Sequence, residues 1–133
     1  MIKYTEDKLR EQGYKIENAK ITSVDLSMAD HGCLTLRMVL SGGGWGCVYG
    51  GYNLGNGYVG AKEFKGSAVG MEYLMRIMDT MESETLNDLV GRYIRVATKG
   101  WGESVKIIGN ILSDKWFDSE SFFKDKEKEN ELD

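Results

Sequence analysis

The sequence predicts an α+β fold, mainly β: a five-stranded OB-like barrel or roll with a helix between strands 3 and 4 and a short helix at each end. Three observations carry this reading. Residues 14–28 and 33–40 alternate apolar and polar side chains, the period of a strand with one buried face. Residues 68–81 repeat apolar positions at helical spacing instead. Two more strand-like runs, 92–98 and 103–112, follow that helix and flank a Lys99-Gly100-Trp101-Gly102 turn. Three strands, a helix and two strands is the order of the OB barrel; a roll of the same order without closure is the alternative.

The elements follow in order. Thr5 is placed to cap a helix over 6–12 that Gly13 ends. In the first strand Ala19 and Ile21 share one face, whereas Val24, Leu26 and Met28 alternate in the opposite phase. A strand keeps period two, so a bulge or bend belongs near Thr22-Ser23. Residues 29–32 form a turn, and Leu34, Leu36, Met38 and Leu40 then alternate cleanly with Thr35 and Arg37. Nine of the 19 residues from Gly42 to Gly60 are glycine, set with Trp45, Tyr49, Tyr52 and Tyr58. A flexible linker rarely carries such aromatics, so 45–52 reads as a kinked third strand followed by a structured loop. Ser67 caps the central helix, whose methionines read as core filler. Residues 84–89 form a further helical turn ended by Gly91. A final short helix starts at Asp118 or Ser119 and runs through Phe122 and Phe123, and 124–133 is expected to be frayed and solvated.

Composition narrows the classes. The chain has 133 residues and no internal repeat, so one α+β domain over 1–117 is expected, with a short helix and acidic solvated tail over 118–133. The start carries no apolar run behind a basic end and no stretch is long enough to span a bilayer, which predicts a cytoplasmic protein without membrane contact. Cys33 and Cys47 are too few for a disulfide framework and read as buried, reduced thiols. With His31 the only histidine, no zinc-ligand pattern exists, and no cofactor is expected. The net charge of −4 lies in residues 118–133, leaving the body neutral.

Three places merit a functional reading. The Gly42-Gly43-Gly44-Trp45-Gly46 run lacks the phosphate-loop pattern, so its glycines serve the bending of a strand. The hairpin from Arg92 to Lys106 holds Arg92, Arg95, Lys99 and Lys106 against Glu103, with Trp101 at its tip. Cations beside an exposed aromatic suit single-stranded nucleic acid, the cations holding the backbone and the ring stacking a base. Arg37, facing outward on the second strand, either adds to a binding face with Tyr49 or solubilises an exposed strand. Asp30-His31 could orient an imidazole, but no nucleophile or second carboxylate is tied to it by spacing, so a non-enzymatic protein is expected.

The runs 21–26 and 30–35, with Gly43-Gly44-Trp45-Gly46, Gly50-Gly51-Tyr52 and Gly70-Met71-Glu72-Tyr73, resemble small uncharacterised proteins of phages and prophages of Gram-positive bacteria. The block Asp88-Leu89-Val90-Gly91-Arg92-Tyr93 is similar to phage single-strand-binding proteins of OB type, from which the glycine-rich third strand departs. The resemblance implies a mobile-element setting. It also implies a binding protein, foremost a counter-defence inhibitor of anti-CRISPR style that occupies a host nucleoprotein effector or sequesters its nucleic-acid or nucleotide ligand. The other implied role is a single-stranded DNA-binding accessory of phage replication or recombination. Both roles admit a homo-oligomer. The expected contact residues are Arg37, Trp45, Tyr49, Tyr52, Tyr58, Arg92, Arg95, Lys99, Trp101 and Lys106.

Overall fold

A computed structural model describes residues 3–57, 64–100 and 102–132. Helix α1 (Glu6–Glu11) is capped by the Thr5 hydroxyl, which accepts from the Lys8 amide. Strands β1 (Lys15–Asp30), β2 (Cys33–Ser41) and β3 (Gly46–Gly50) follow. Two two-residue strands, β4 (Gly55–Asn56) and β5 (Lys65–Gly66), precede helix α2 (Ala68–Met81). A short 3-10 turn (Asn87–Leu89) leads to β6 (Tyr93–Thr98), β7 (Ile107–Gly109), β8 (Trp116–Asp118) and α3 (Ser119–Leu132). The result is an α+β fold, mainly β: a curled antiparallel sheet forming a half-barrel, with short helices against it.

Strand β1 gives the sheet its curl. Its residues 15–20 pair with β6, and residues 20–30 pair with β2 along the opposite edge. Between Ile21 and Ser23 the register against β2 slips by one residue, so Thr22 is the extra residue of a bulge. An unpaired extra residue reverses the side-chain phase and sharpens the local twist. The phase change at Thr22-Ser23 is therefore a real bulge. Ala19 and Ile21 point into the core before it, and Val24 points the same way after it, half-buried. Leu26 and Met28 continue that phase but remain exposed, because this end of the ribbon runs past the core. Strand β2 is flanked by β1 on one edge and by β3 and β4, end to end, on the other.

The main core fills the concave side of the sheet. Leu36, Met38 and Leu40 of β2, Ile94 and Val96 of β6 and Ile108 of β7 meet Tyr73, Leu74 and Ile77 of α2 and Phe122 of α3. Ser67 caps α2 by accepting from the Gly70 amide. Glu82 ends it in the left-handed conformation at φ 53°. A Cβ at Gly70 would lie 2.8 Å from the Leu54 carbonyl oxygen, so only glycine lets the helix seat against that loop. A smaller cluster, Tyr4, Leu9, Ala97 and Ile107, lies under α1 on the other face of β6 and β7.

Several expectations need correction. Residues 103–106 are not strand; only Ile107–Gly109 pairs with β6. Met71 and Met75 are exposed, and of the helical methionines only Met81 is buried. Both cysteines are half-buried and free rather than fully buried. The C-terminal helix does not stop near Phe123 but continues to Leu132. Lys124 pairs with Glu120, and Lys126 pairs with Glu129 on its own helix and with Glu72 on α2. These pairs support the helix where a frayed tail was expected.

Phe122 and Phe123 anchor that helix. Phe122 lies 5.5 Å from the Phe117 ring, and Phe123 lies 4.8 Å from Tyr52 and 5.1 Å from Tyr73. Phe122→Ala is expected to lower unfolding free energy by about 3–5 kcal/mol, the usual cost of emptying a buried phenylalanine site. Chemical denaturation with an unchanged m-value would show it. A loss under about 1 kcal/mol would mean that α3 is not part of the folded body.

Candidate functional site

The Trp45 strand and the β6–β7 loop, two separate stretches of sequence, meet across one cleft of about 340 Å³. Trp45, Gly46, Cys47 and Val48 line one side; Thr98, Gly100 and Gly102 to Val105 line the other; Lys15 and Glu17 of β1 close the end. Gly42 makes the Trp45 position possible. A Cβ there would fall 2.0 Å from the indole, and the Gly42 amide donates to the Trp45 carbonyl at 2.9 Å. Val48 is 56% exposed, so an apolar side chain stands open beside the half-buried indole. Burial pushes the Cys47 thiol above its ordinary range, keeping it protonated and unreactive.

The other predicted residues divide sharply. Tyr49 is fully buried and leaves the contact surface. Its hydroxyl is hydrogen-bonded to the Ser119 hydroxyl and accepts from the Tyr73 hydroxyl at 3.1 Å. Burial raises both phenols well above their ordinary range, so the cluster is neutral. Tyr52 is half-buried, its ring against Tyr73 and Phe123. The sheet curls so that β3 presents Tyr49 to the two helices, and its neighbouring glycines hid that burial in the sequence. Tyr58 and Trp101 lie outside the described residues.

Of the four hairpin cations, three are held by partners inside the fold. Arg92 is exposed but donates to the Met81 carbonyl at 2.9 Å, completing the end of α2. Arg95 is largely buried. It donates to the Asn110 and Ser113 carbonyls and to Glu6 at 2.8–3.0 Å, and its guanidinium lies 4.5 Å from the Trp116 ring centre. Arg95 therefore ties α1 and the 110–113 loop to the sheet and is not a contact residue. Lys106 pairs with Glu120, which also pairs with Lys124. These two ammonium groups hold the Glu120 carboxyl down at about 2. Lys99 lies 4.8 Å from the Tyr14 ring centre and is exposed.

Lys99 and Lys106 do share a second depression of about 660 Å³ between the β6–β7 loop and α3. Its cations Lys99, Lys106, Lys124 and Lys128 face Glu103, Asp118, Glu120 and Asp125, so it carries no net positive field. Arg37 faces outward on β2, as its position predicts, and bonds to Asp30 at 3.2 Å. Asp30 also bonds to His31 Nδ1 at 2.9 Å. The His31 bond and then the Arg37 bond hold the Asp30 carboxyl below its ordinary range. His31 itself is almost fully exposed, with Asp30 its one side-chain partner among the described residues. Among the described residues no group of three or more His, Cys, Asp and Glu side chains is placed to hold a metal ion. No helix among them is long and apolar enough to cross a membrane.

No family model, no curated protein and no solved structure matches this chain. The site therefore rests on its own geometry. Lys15 and Glu17 complete the cleft without having been singled out in the sequence, where each is an unremarkable strand residue, and Glu103 enters it from the hairpin in which it was the lone acid.

Arg95→Ala is expected to lower unfolding free energy by about 2–3 kcal/mol, since it removes charge-assisted bonds and leaves two carbonyls without their donor. Lys99→Ala is expected to stay within about 0.5 kcal/mol of wild type. Denaturation of both variants checks this. Equal effects would mean that Arg95 is a surface cation.

Proposed function

We propose that this chain is a non-enzymatic phage or prophage accessory protein. It acts as a counter-defence inhibitor of anti-CRISPR type that occupies a host nucleoprotein effector or sequesters its ligand. The observation that carries the reading is the convergence of the Trp45–Val48 edge and the 98–105 loop on one cleft. That cleft joins an indole and an open valine to carboxylates and a lysine, the mixture that suits protein contact. The setting within a mobile element comes from the sequence texture, and the inhibitory role from the resemblance. In the same reading the half-barrel is an OB-like barrel open at this seam.

The charge arrangement favours a protein partner over a nucleic-acid strand. A phosphate backbone needs free cations, and Arg92, Arg95 and Lys106 are engaged within the fold. The single-strand reading keeps only Lys99 and the charge-balanced depression beside it.

The test is infection of a Gram-positive host whose CRISPR system targets the infecting phage, with and without this chain expressed. Wild type is expected to restore plating, and Val48→Lys, a change at an exposed cleft position, to abolish the rescue while leaving the protein folded. Plating that stays restricted with wild type contradicts inhibition of that defence. Steeply salt-dependent binding of a labelled single-stranded oligonucleotide would favour the replication role instead.

A further inference from the structure

The hydrogen-bond phase of β3 shows what kind of contact the cleft offers. The β2–β3 ladder runs without a register slip from Arg37↔Gly50 to Ser41↔Gly46. At its two ends the Gly42 amide donates to the Trp45 carbonyl and the Gly51 amide donates to the Leu36 carbonyl, at 2.9 and 2.8 Å. Both bonds fall on the register of the ladder. In an antiparallel pair only alternate residues turn their amide and carbonyl groups toward the neighbour. Trp45, Cys47, Tyr49 and Gly51 therefore face β2, and Gly46 and Val48 direct their N–H and C=O groups away from it. Among the described residues no strand pairs with that outer edge.

Such an edge is a template for another strand, and natural proteins usually blunt it with charge or proline. The five residues of β3, Gly-Cys-Val-Tyr-Gly, carry neither. Across the edge lies the cleft of about 340 Å³, bounded on its far side by Gly102 to Val105. At roughly 130 Å³ per residue this holds two to three residues of one extended chain, too little for a second sheet. Glu17 and Glu103 line it without an ion pair among the described residues, and Lys15 is the one cation of that lining, with Lys99 and Lys106 near Glu103 in the neighbouring depression. The net charge of the lining is negative.

We infer that the outer edge of β3 takes up one extended peptide segment of a partner protein, bearing lysine or arginine, as an added strand in the cleft. The inference rests on the reading of this cleft as the contact site and specifies its mode. Main-chain bonds to Gly46 and Val48 supply the affinity. The Val48 side chain takes an apolar residue of the segment on the outer face, Trp45 borders the next residue on the inner face, and Glu17 and Glu103 take its basic flanks.

The test is nuclear magnetic resonance titration of the full chain with a capped hexapeptide of alternating valine and threonine closed by a lysine at each end. Saturable shifts and slowed amide exchange at Gly46 and Val48 are expected. Methylating alternate amide nitrogens of the peptide in one phase is expected to abolish binding, and in the other phase to spare it. Val48→Pro removes an outward amide that no β2 carbonyl uses, so the edge tolerates it. It is expected to weaken binding by about threefold to tenfold, the worth of one hydrogen bond. Shifts at the Trp45 indole and Val48 methyl groups, with neither slowed exchange nor sensitivity to methylation, would overturn strand addition and leave the cleft as the contact site. No shift at either residue would overturn both.

Discussion

β1 is bonded to two different neighbours along its length, and the half-barrel depends on that division. Residues 15–20 pair with β6 on one edge and residues 20–30 with β2 on the other, with Thr22 bulged within the β2 ladder. Without the bulge, strict period two would turn Val24 away from the face that Ala19 and Ile21 share, so the extra residue keeps all three on the core side. The bulge lets the sheet roll around α2 and α3, so that β2, β6 and β7 all contribute to one core. Deleting Thr22 would leave Val24 in phase with Ile21 and remove the sharpened twist that the bulge supplies.

The same rolling leaves a seam. Among the described residues β3 pairs as a strand with β2 alone, and the β6–β7 loop lines the cleft opposite its other edge. The seam does not collapse, because its flanks are fixed from elsewhere. Tyr49 is tied to Ser119 and Tyr73 beneath the sheet, holding β3 down on the helices. Arg95 ties the β6 side to α1 and to the 110–113 loop. An edge already held in extended form suits a recognition cleft, since little ordering of that strand remains to be done on binding.

Much of this was legible in the residues. The bounds of α2 follow from Ser67 and the spacing of Leu74, Ile77 and Met81, and the structure starts and stops that helix where the pattern does. The bulge could be read from the change of phase after Ile21, because period two admits no other explanation within a strand. What could not be read depends on contacts distant in sequence. Arg95 looks like a free hairpin cation until Glu6 and Ser113 are brought to it. Tyr49, between glycines, looks like an exposed aromatic until the helices cover it. Strands β4 and β5, two residues each, leave no pattern. The Trp45 segment and the hairpin from Arg92 to Lys106 were each singled out as candidates, whereas the meeting of Trp45–Val48 with residues of that hairpin across one cleft was not legible, since it depends on the curl of the sheet. The length of α3 was recoverable: the Glu120–Lys124 pair at helical spacing was in view, and the charge of the segment obscured it.

The open seam is the central claim, and residue-resolved amide hydrogen exchange of the free chain tests it most directly. The Cys47 and Tyr49 amides, bonded to β2, are expected to be strongly protected, and the Val48 amide between them to exchange at a rate near that of an exposed loop. A Val48 amide as slow as its two neighbours would mean that the outer edge of β3 is already paired, and would contradict the account.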